Sequence, residues 1–441
     1  MHSSESKRGP GVLGTIRLAS GSRFSLSAMV CLHIVTCCIS LYFVAHRQSY
    51  MAYDAAGLYY AIAAVLAFST LSLLFIFTSF NFGYVIGFNL FTMMLGYIWL
   101  SNFSRFNYDH RLAAFSAAAS ALLFLLPALL INAPTKPVFA LSPRAFEHLL
   151  RLVFVLALGT IVWASFYNFR LVSIERIYDI RNELSFPTPL RYLIGIVSTV
   201  LLPFAFAGYL AIERRWWAAA VIFLLLCFYP ITVSKFALFA PLWIIVMMLL
   251  SRMFEPRAAT IVSVLFPMLL GVILVAWSAH GFPGFYFNLV NIRMMATPSS
   301  AMDVYNDFFA IHPPTWFCQI SFLKPLMNCP YREPLSVVME QAYRLGNLNA
   351  SLFATEGVAS VGLYLAPLVA FFCGLVLSLG NRVSAGLPPG FVLVSGALLP
   401  QAFLNVPFTT VFLTHGAGFL FLLWYAVPRT IFDRKIEPVA A

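Results

Sequence analysis

Charge is what this sequence has least of. Only 10% of its 441 residues are Asp, Glu, Lys or Arg, against roughly 25% in usual soluble domains, while 61% are hydrophobic and mean hydropathy is +0.87. That scarcity excludes an ordinary soluble domain. The compact signatures of several enzyme classes are also missing: no glycine-rich phosphate loop, no His-Glu-x-x-His pair, no serine elbow. Adjacent Asp pairs are absent too, which argues against a metal-dependent transferase. The apolar runs are continuous rather than alternating, which argues against a β-barrel. No basic cluster is long or interleaved with aromatics, so the surplus of 27 Lys+Arg over 16 Asp+Glu does not point to nucleic acid. Orientation in a bilayer and an anionic head group account for it better. Almost no charged residue falls inside an apolar run, whereas ion-coupled transporters usually need one near mid-membrane. His33 and His415, the two mid-run imidazoles, read as packed helix residues.

What remains is a succession of apolar stretches near 20 residues, the length of a membrane-crossing helix. They predict an all-α polytopic membrane protein of about twelve spans, at 27–45, 57–78, 82–101, 112–132, 149–167, 191–211, 258–278, 356–378, 388–406 and 409–427, with two more inside 216–250. That last stretch is read as two short helices meeting at Ser234-Lys235, the form broken helices take beside a polar cavity. The first run is expected to be a permanent span rather than a cleaved signal, because a long polar tail precedes it and no small-residue cleavage site follows. The expected partition is a cytoplasmic tail (1–26), a transmembrane scaffold (27–278) containing a basic outward segment (168–190), a large outward loop (279–355), C-terminal spans (356–427) and a cytoplasmic tail (428–441). Short connections on the side of the termini hold most of the Lys and Arg, which places both ends in the cytoplasm.

The two outward segments hold the candidate chemistry. Arg170, Arg176 and Arg181 in the first and Arg293 in the second offer guanidinium forks suited to phosphate oxygens. Lys235 at the Ser-Lys break adds a point charge. Arginines beside a departing diphosphate would stabilise a glycosyl-transfer transition state more than its ground state. Candidate bases are His312, whose side-chain type titrates near neutrality, Asp303 and Asp307 one helical turn apart around Tyr305, Glu340 on an expected short helix from Leu335 to Tyr343, and Glu356 at the start of the next span. Tyr305, with Phe308, Phe309, Trp316 and Tyr331, could stack on sugar rings. Cys318 and Cys329 read as a disulfide closing a small lobe; zinc is the rival, without a further Cys or His at ligand spacing. The other five cysteines lie in apolar runs. Neither a metal nor a cofactor is implied.

The run from Tyr343-Arg344-Leu345-Gly346-Asn347-Leu348-Asn349 through Glu356-Gly357 to Val361-Gly362-Leu363-Tyr364, together with the order of spans and the two basic segments, resembles bacterial O-antigen and oligosaccharide repeat-unit polymerases, the Wzy class, and more distantly the O-antigen ligases. The ligase pattern has a histidine in that run, where Asn347 or Asn349 stands here, so polymerase is the better fit. The resemblance implies a glycosyltransferase in a bacterial inner membrane, acting on undecaprenyl-diphosphate-linked oligosaccharides at the periplasmic face. Arg176 or Arg181 and Arg293 would engage the lipid diphosphate, with Arg344 and Asn349 nearby. A flippase and a chain-length regulator would be its partners besides membrane lipids. A ligase, or a flippase or exporter of lipid-linked glycans, is the alternative reading.

Overall fold

The computed structural model describes residues 22–135, 137–173, 177, 184–320 and 322–433; Arg176, Arg181 and the centre of the first basic segment lie outside them. Helices dominate. Among the described residues ten are long and apolar enough to cross a membrane: α1 (Arg23–Arg47), α2 (Ala55–Phe77), α3 (Phe82–Leu100), α4 (His110–Leu130), α5 (Pro143–Ser165), α6 (Thr188–Ala211), α7 (Arg215–Thr232), α8 (Lys235–Met253), α9 (Pro256–Trp277) and the helix Phe353–Ser384. The protein is thus an all-α, multi-pass membrane protein.

Backbone contacts sort the connections into two faces. On one, residues 133–141 bond to 382 and 426, Glu147 pairs with Arg214, and Arg257 donates to the Thr78 carbonyl. On the other, 50–52 bond to 103–105, Arg170 bonds to Pro230, Asn107 to Asp307, and Thr315 to Ala359. This second face carries both polar segments and is called the loop face below. The expectation of two short helices in 216–250 is corrected: α7 and α8 have 18 and 19 residues, each of spanning length, and they turn at Val233–Ser234.

Two larger departures shape the loop face. First, residues 282–311, expected to be loop, form one continuous helix, α10, with a π-helical middle at Asn288–Ala296. It sinks among the spans: Asn291 donates to Met268 and Ser40, and Ser299 to the Met93 carbonyl. Those partners lie seven to nine residues inside the ends of α9, α1 and α3, roughly 10–14 Å at helical rise. Sequence hid this because the helix is too polar to read as a span, and its small and amide side chains (Asn291, Ser299, Ser300, Asn306) are the means by which it packs against other helices.

Second, the helix Phe353–Ser384 is two helices. Gly362 has φ 77° and ψ 174°, a conformation essentially restricted to glycine. The π-helical half-helix Phe353–Ala359 (α12) folds back along Ser360–Ser384 (α13), with Gly357 against Ala366 and Phe353 against Phe124. The chain between Tyr343, at the end of α11 (Leu335–Tyr343), and Phe353 therefore descends into the membrane in non-helical form before α12 rises again. A β-carbon on Gly374 would overlap the Phe124 carbonyl, so α13 packs backbone to backbone on α4. The two spans expected at 388–406 and 409–427 are broken into α14 (Pro389–Ser395), α15 (Leu399–Asn405), α16 (Phe408–Leu413) and α17 (Ala417–Ala426). Gly396, Pro400, Pro407 and Gly416, at φ 84°, supply the interruptions.

A methyl group at residue 362 would meet nothing within 4 Å, so Gly362→Ala tests backbone strain alone. It should destabilise the protein by about 1–3 kcal/mol, read as a lowered midpoint in SDS unfolding; an unchanged midpoint would refute the fold-back turn.

Candidate functional site

Around α12 the loop face becomes a polar, broken-helix region. Glu356, 5% exposed, accepts four hydrogen bonds: from the Thr355 hydroxyl (2.6 Å), the Phe408 and Thr409 amides (3.1 and 2.9 Å) and the Thr409 hydroxyl (2.9 Å). Each carboxylate oxygen takes two of them. Glu356 was expected at the membrane boundary opening a span; it lies six residues before Gly362 instead, roughly 8–9 Å beneath the loop face, where it joins α12 to the start of α16. The far end of α16 sits at similar depth, since the Thr414 carbonyl packs on Gly195, seven residues into α6. The last hairpin therefore stops short of the loop face. Its top is α16 with Asn405, Thr409, Thr410 and Thr414 half-buried around it.

A second cluster joins α10 to the connection between α3 and α4. Tyr108 donates to Asp303, Tyr97 lies 3.2 Å from Tyr108, Asn306 donates to Tyr97 (3.0 Å), and Asp307 accepts from the Asn107 amide (2.8 Å) and the Tyr343 hydroxyl (2.6 Å). Asp303 is 0% exposed, and burial pushes its carboxyl up to about 7 against the opposing bond from Tyr108. The Tyr343 hydroxyl is held well above its ordinary range, first by burial and then by Asp307. The aspartates do share a direction, but it is towards this packed interface. Tyr305, on another side of the same helix, is 1% exposed and presents no ring face to a sugar.

Other candidates lie at the surface. His312 is exposed, stacked on Phe308 at 3.9 Å with Nδ1 2.8 Å from the Phe308 carbonyl; a proton on Nδ1 leaves Nε2 as an outward acceptor. It opens a lobe in which Cys318 and Cys329 are bonded and Tyr331 donates to the Pro313 carbonyl. Glu340 is exposed on α11, and Arg344 and Asn349 are exposed after it; Arg344 takes the left-handed conformation that ends the helix.

Of the cations, Arg170 and Lys235 belong to one construction. The Asn168 side chain donates to the Pro230 and Ile231 carbonyls, the Arg170 amide to Pro230, and Tyr229 to Val172. These bonds tie the first basic segment to the α7–α8 tip. There Val233 is left-handed, at φ 44°, a costly state for a β-branched residue, and Ser234 caps α8, which begins with Lys235. Arg170 lines a cavity of about 230 Å³ with Tyr167, Asn168, Leu184, Ser185 and Phe186. Arg293 is exposed on the π-helical part of α10 and does not line this cavity. None of Arg170, Lys235 and Arg293 is without an interaction partner. Sequence reasoning missed Asn168, Tyr108 and Thr409; the first two sit in Tyr-Asn and Asn-Tyr pairs at span ends, a signal too common to single out.

Among the described residues no group of three His, Cys, Asp or Glu could hold a metal ion. No family model, curated protein or solved structure matches the chain.

Because the folded Asp303 binds its proton more tightly than an unfolded aspartate, whose ordinary value is 3.8, its contribution to stability is fully present below about pH 4 and declines as pH rises towards 7. Asp303→Asn should flatten the pH dependence of the unfolding midpoint across that window; an identical slope in the variant would refute the burial account.

Proposed function

We propose that this protein is a glycosyltransferase that joins polyprenyl-diphosphate-linked oligosaccharides at the loop face, as its resemblance to repeat-unit polymerases implies. The loop face would then be periplasmic, the termini cytoplasmic and the membrane a bacterial inner membrane. The observation that carries the reading is the pinning of Arg170 beside the strained α7–α8 tip. Backbone and amide bonds thereby hold the connection that carries Arg170 against the tip that carries Lys235, with a cavity of about 230 Å³ at Arg170. Strain of the Val233 kind persists where surrounding bonds over-determine it, and such places cluster at functional sites.

In the reaction, the acceptor hydroxyl oxygen attacks the anomeric carbon of the donor glycan and the bond from that carbon to the diphosphate oxygen breaks. The electron pair leaves with the diphosphate, and Arg170 and Lys235 stabilise its growing charge. The hydroxyl proton passes to a base. His312 and Glu340 fit that role best, because their side chains are exposed. Glu356 has its acceptor positions filled and acts as a positioning residue, while Asp303 and Asp307 serve the α10 interface. The broken helices at Glu356 also suit a flippase lumen, and that second reading predicts transport without bond formation.

Reconstituted with a lipid-linked oligosaccharide, the wild-type protein should yield products longer than one unit. Arg170→Ala and Lys235→Ala should each lower the rate at least tenfold, and His312→Ala or Glu340→Gln should abolish elongation while lipid binding persists. Translocation of the lipid with no longer product, unaffected by the base variants, would favour the flippase.

A further inference from the structure

A second cavity, remote in sequence from the Arg170 cavity and sharing no residue with it, lies at the corner where α1 ends and α9 turns into α10. Its volume is about 650 Å³, and its lining includes Arg47, Gln48, His280, Asn288, Phe285 and Ile292, with no carboxylate among any of its lining residues. Arg47 is fixed by two rings: its guanidinium carbon lies 5.8 Å from the centre of Phe43 and 5.6 Å from that of Phe287. Cation–π attraction of this kind favours a guanidinium seated against the rings, and Arg47 is exposed at the cavity. Trp277, 91% exposed, and Phe282, 66% exposed, flank the turn, and aromatic rings at span ends mark head-group depth.

We propose that this corner binds the phosphate-bearing head group of a membrane lipid, with Arg47 as the primary cation. The argument is chemical complementarity. A fixed guanidinium meets phosphate oxygens with charge-assisted bonds. The His280 imidazole and the Gln48 and Asn288 amides add donors for the phosphate and the glycerol oxygens. Phe285 and Ile292 offer the apolar wall an acyl chain needs, and the volume is within the roughly 300–1,000 Å³ of ordinary ligand sites. An arginine that merely snorkels to the interface needs no such walls. Nothing in this inference depends on the proposed glycosyl transfer. Because α10 begins at the cavity, lipid seated there would also brace the helix that carries Arg293, Asp303 and Asp307.

The test uses the full-length protein in detergent, with lipid retention read by native mass spectrometry. The probes are phosphatidylglycerol, phosphatidylcholine and inorganic phosphate, and the variants are Arg47→Gln, Arg47→Lys and, as a control on the same face, Arg111→Gln. Phosphatidylglycerol should remain bound to the wild type and to Arg111→Gln. Its retention should fall at least fivefold in Arg47→Gln and by less in Arg47→Lys, which keeps the charge but loses the fork. Unfolding midpoints in lipid-free detergent should be equal for all, so that lost binding is not lost folding. Equal retention in Arg47→Gln and wild type would overturn the proposal, as would an equal fall in Arg111→Gln. Phosphatidylcholine held as tightly as phosphatidylglycerol and unaffected by Arg47→Gln would also overturn it. Inorganic phosphate binding at Arg47 in place of any lipid would show a free-anion site and overturn the lipid assignment.

Discussion

The carboxylate of Glu356 is the interaction on which the loop-face half of this structure depends. Breaking helices inside a bilayer exposes amides that have no water to bond, and each unsatisfied group there costs several kcal/mol. This chain breaks two neighbouring helices, one at the loop face and one beneath it. The half-helix α12 ends at the Gly362 turn, and the last hairpin is interrupted at Val406–Pro407. Glu356 links the two elements: it projects from α12 and accepts the first free amides of α16, with two threonine hydroxyls filling its remaining acceptor positions. A charged residue this deep is therefore structural as well as polar, and the low top of the final hairpin follows from where it is tied.

Around that tie the loop face is assembled from three pieces with different work. The helix 282–311 is anchored to α1, α3 and α9 by amide and hydroxyl side chains, to the α3–α4 connection by the Tyr108–Asp303 and Asn107–Asp307 bonds, and to α11 by the Tyr343–Asp307 bond. The α7–α8 tip, strained at Val233, is bonded to the start of the first basic segment through Asn168, Arg170 and Val172. The disulfide-closed lobe carries His312 outward. Buried carboxylates thus fix the frame, while Arg170 and the His312 imidazole are left exposed at its surface.

Much of the fold was legible in the sequence, because spanning helices announce themselves by length and apolarity. The spans up to Trp277 and the short helix Leu335–Tyr343 stand where the pattern puts them, and Gln-free apolar runs such as 256–277 leave little choice. What could not be read were segments whose burial is achieved by polar atoms. Residues 282–311 carry Asn, Ser and Asp at the positions that bury, so hydropathy assigns them to water. Glu356 reads as the charged start of a span because its partners, Phe408 and Thr409, are over fifty residues away. Gly362 gives no hint of its left-handed geometry in a run that hydropathy reads as one helix. For the site, residue types were legible and their placement was not: Asp303 and Tyr305 have suitable chemistry but are committed to packing, and the connection carrying Arg170 meets the Lys235 tip through the Asn168, Arg170 backbone and Tyr229 bonds.

The most direct test of the central claim is a double-mutant cycle between Glu356 and Thr409, using Glu356→Gln, Thr409→Val and the pair, with unfolding free energies measured in SDS titrations. If the carboxylate ties α12 to α16, the two substitutions should be non-additive by about 1 kcal/mol or more, the pair costing little more than Glu356→Gln alone. Strict additivity of the two effects would contradict the account.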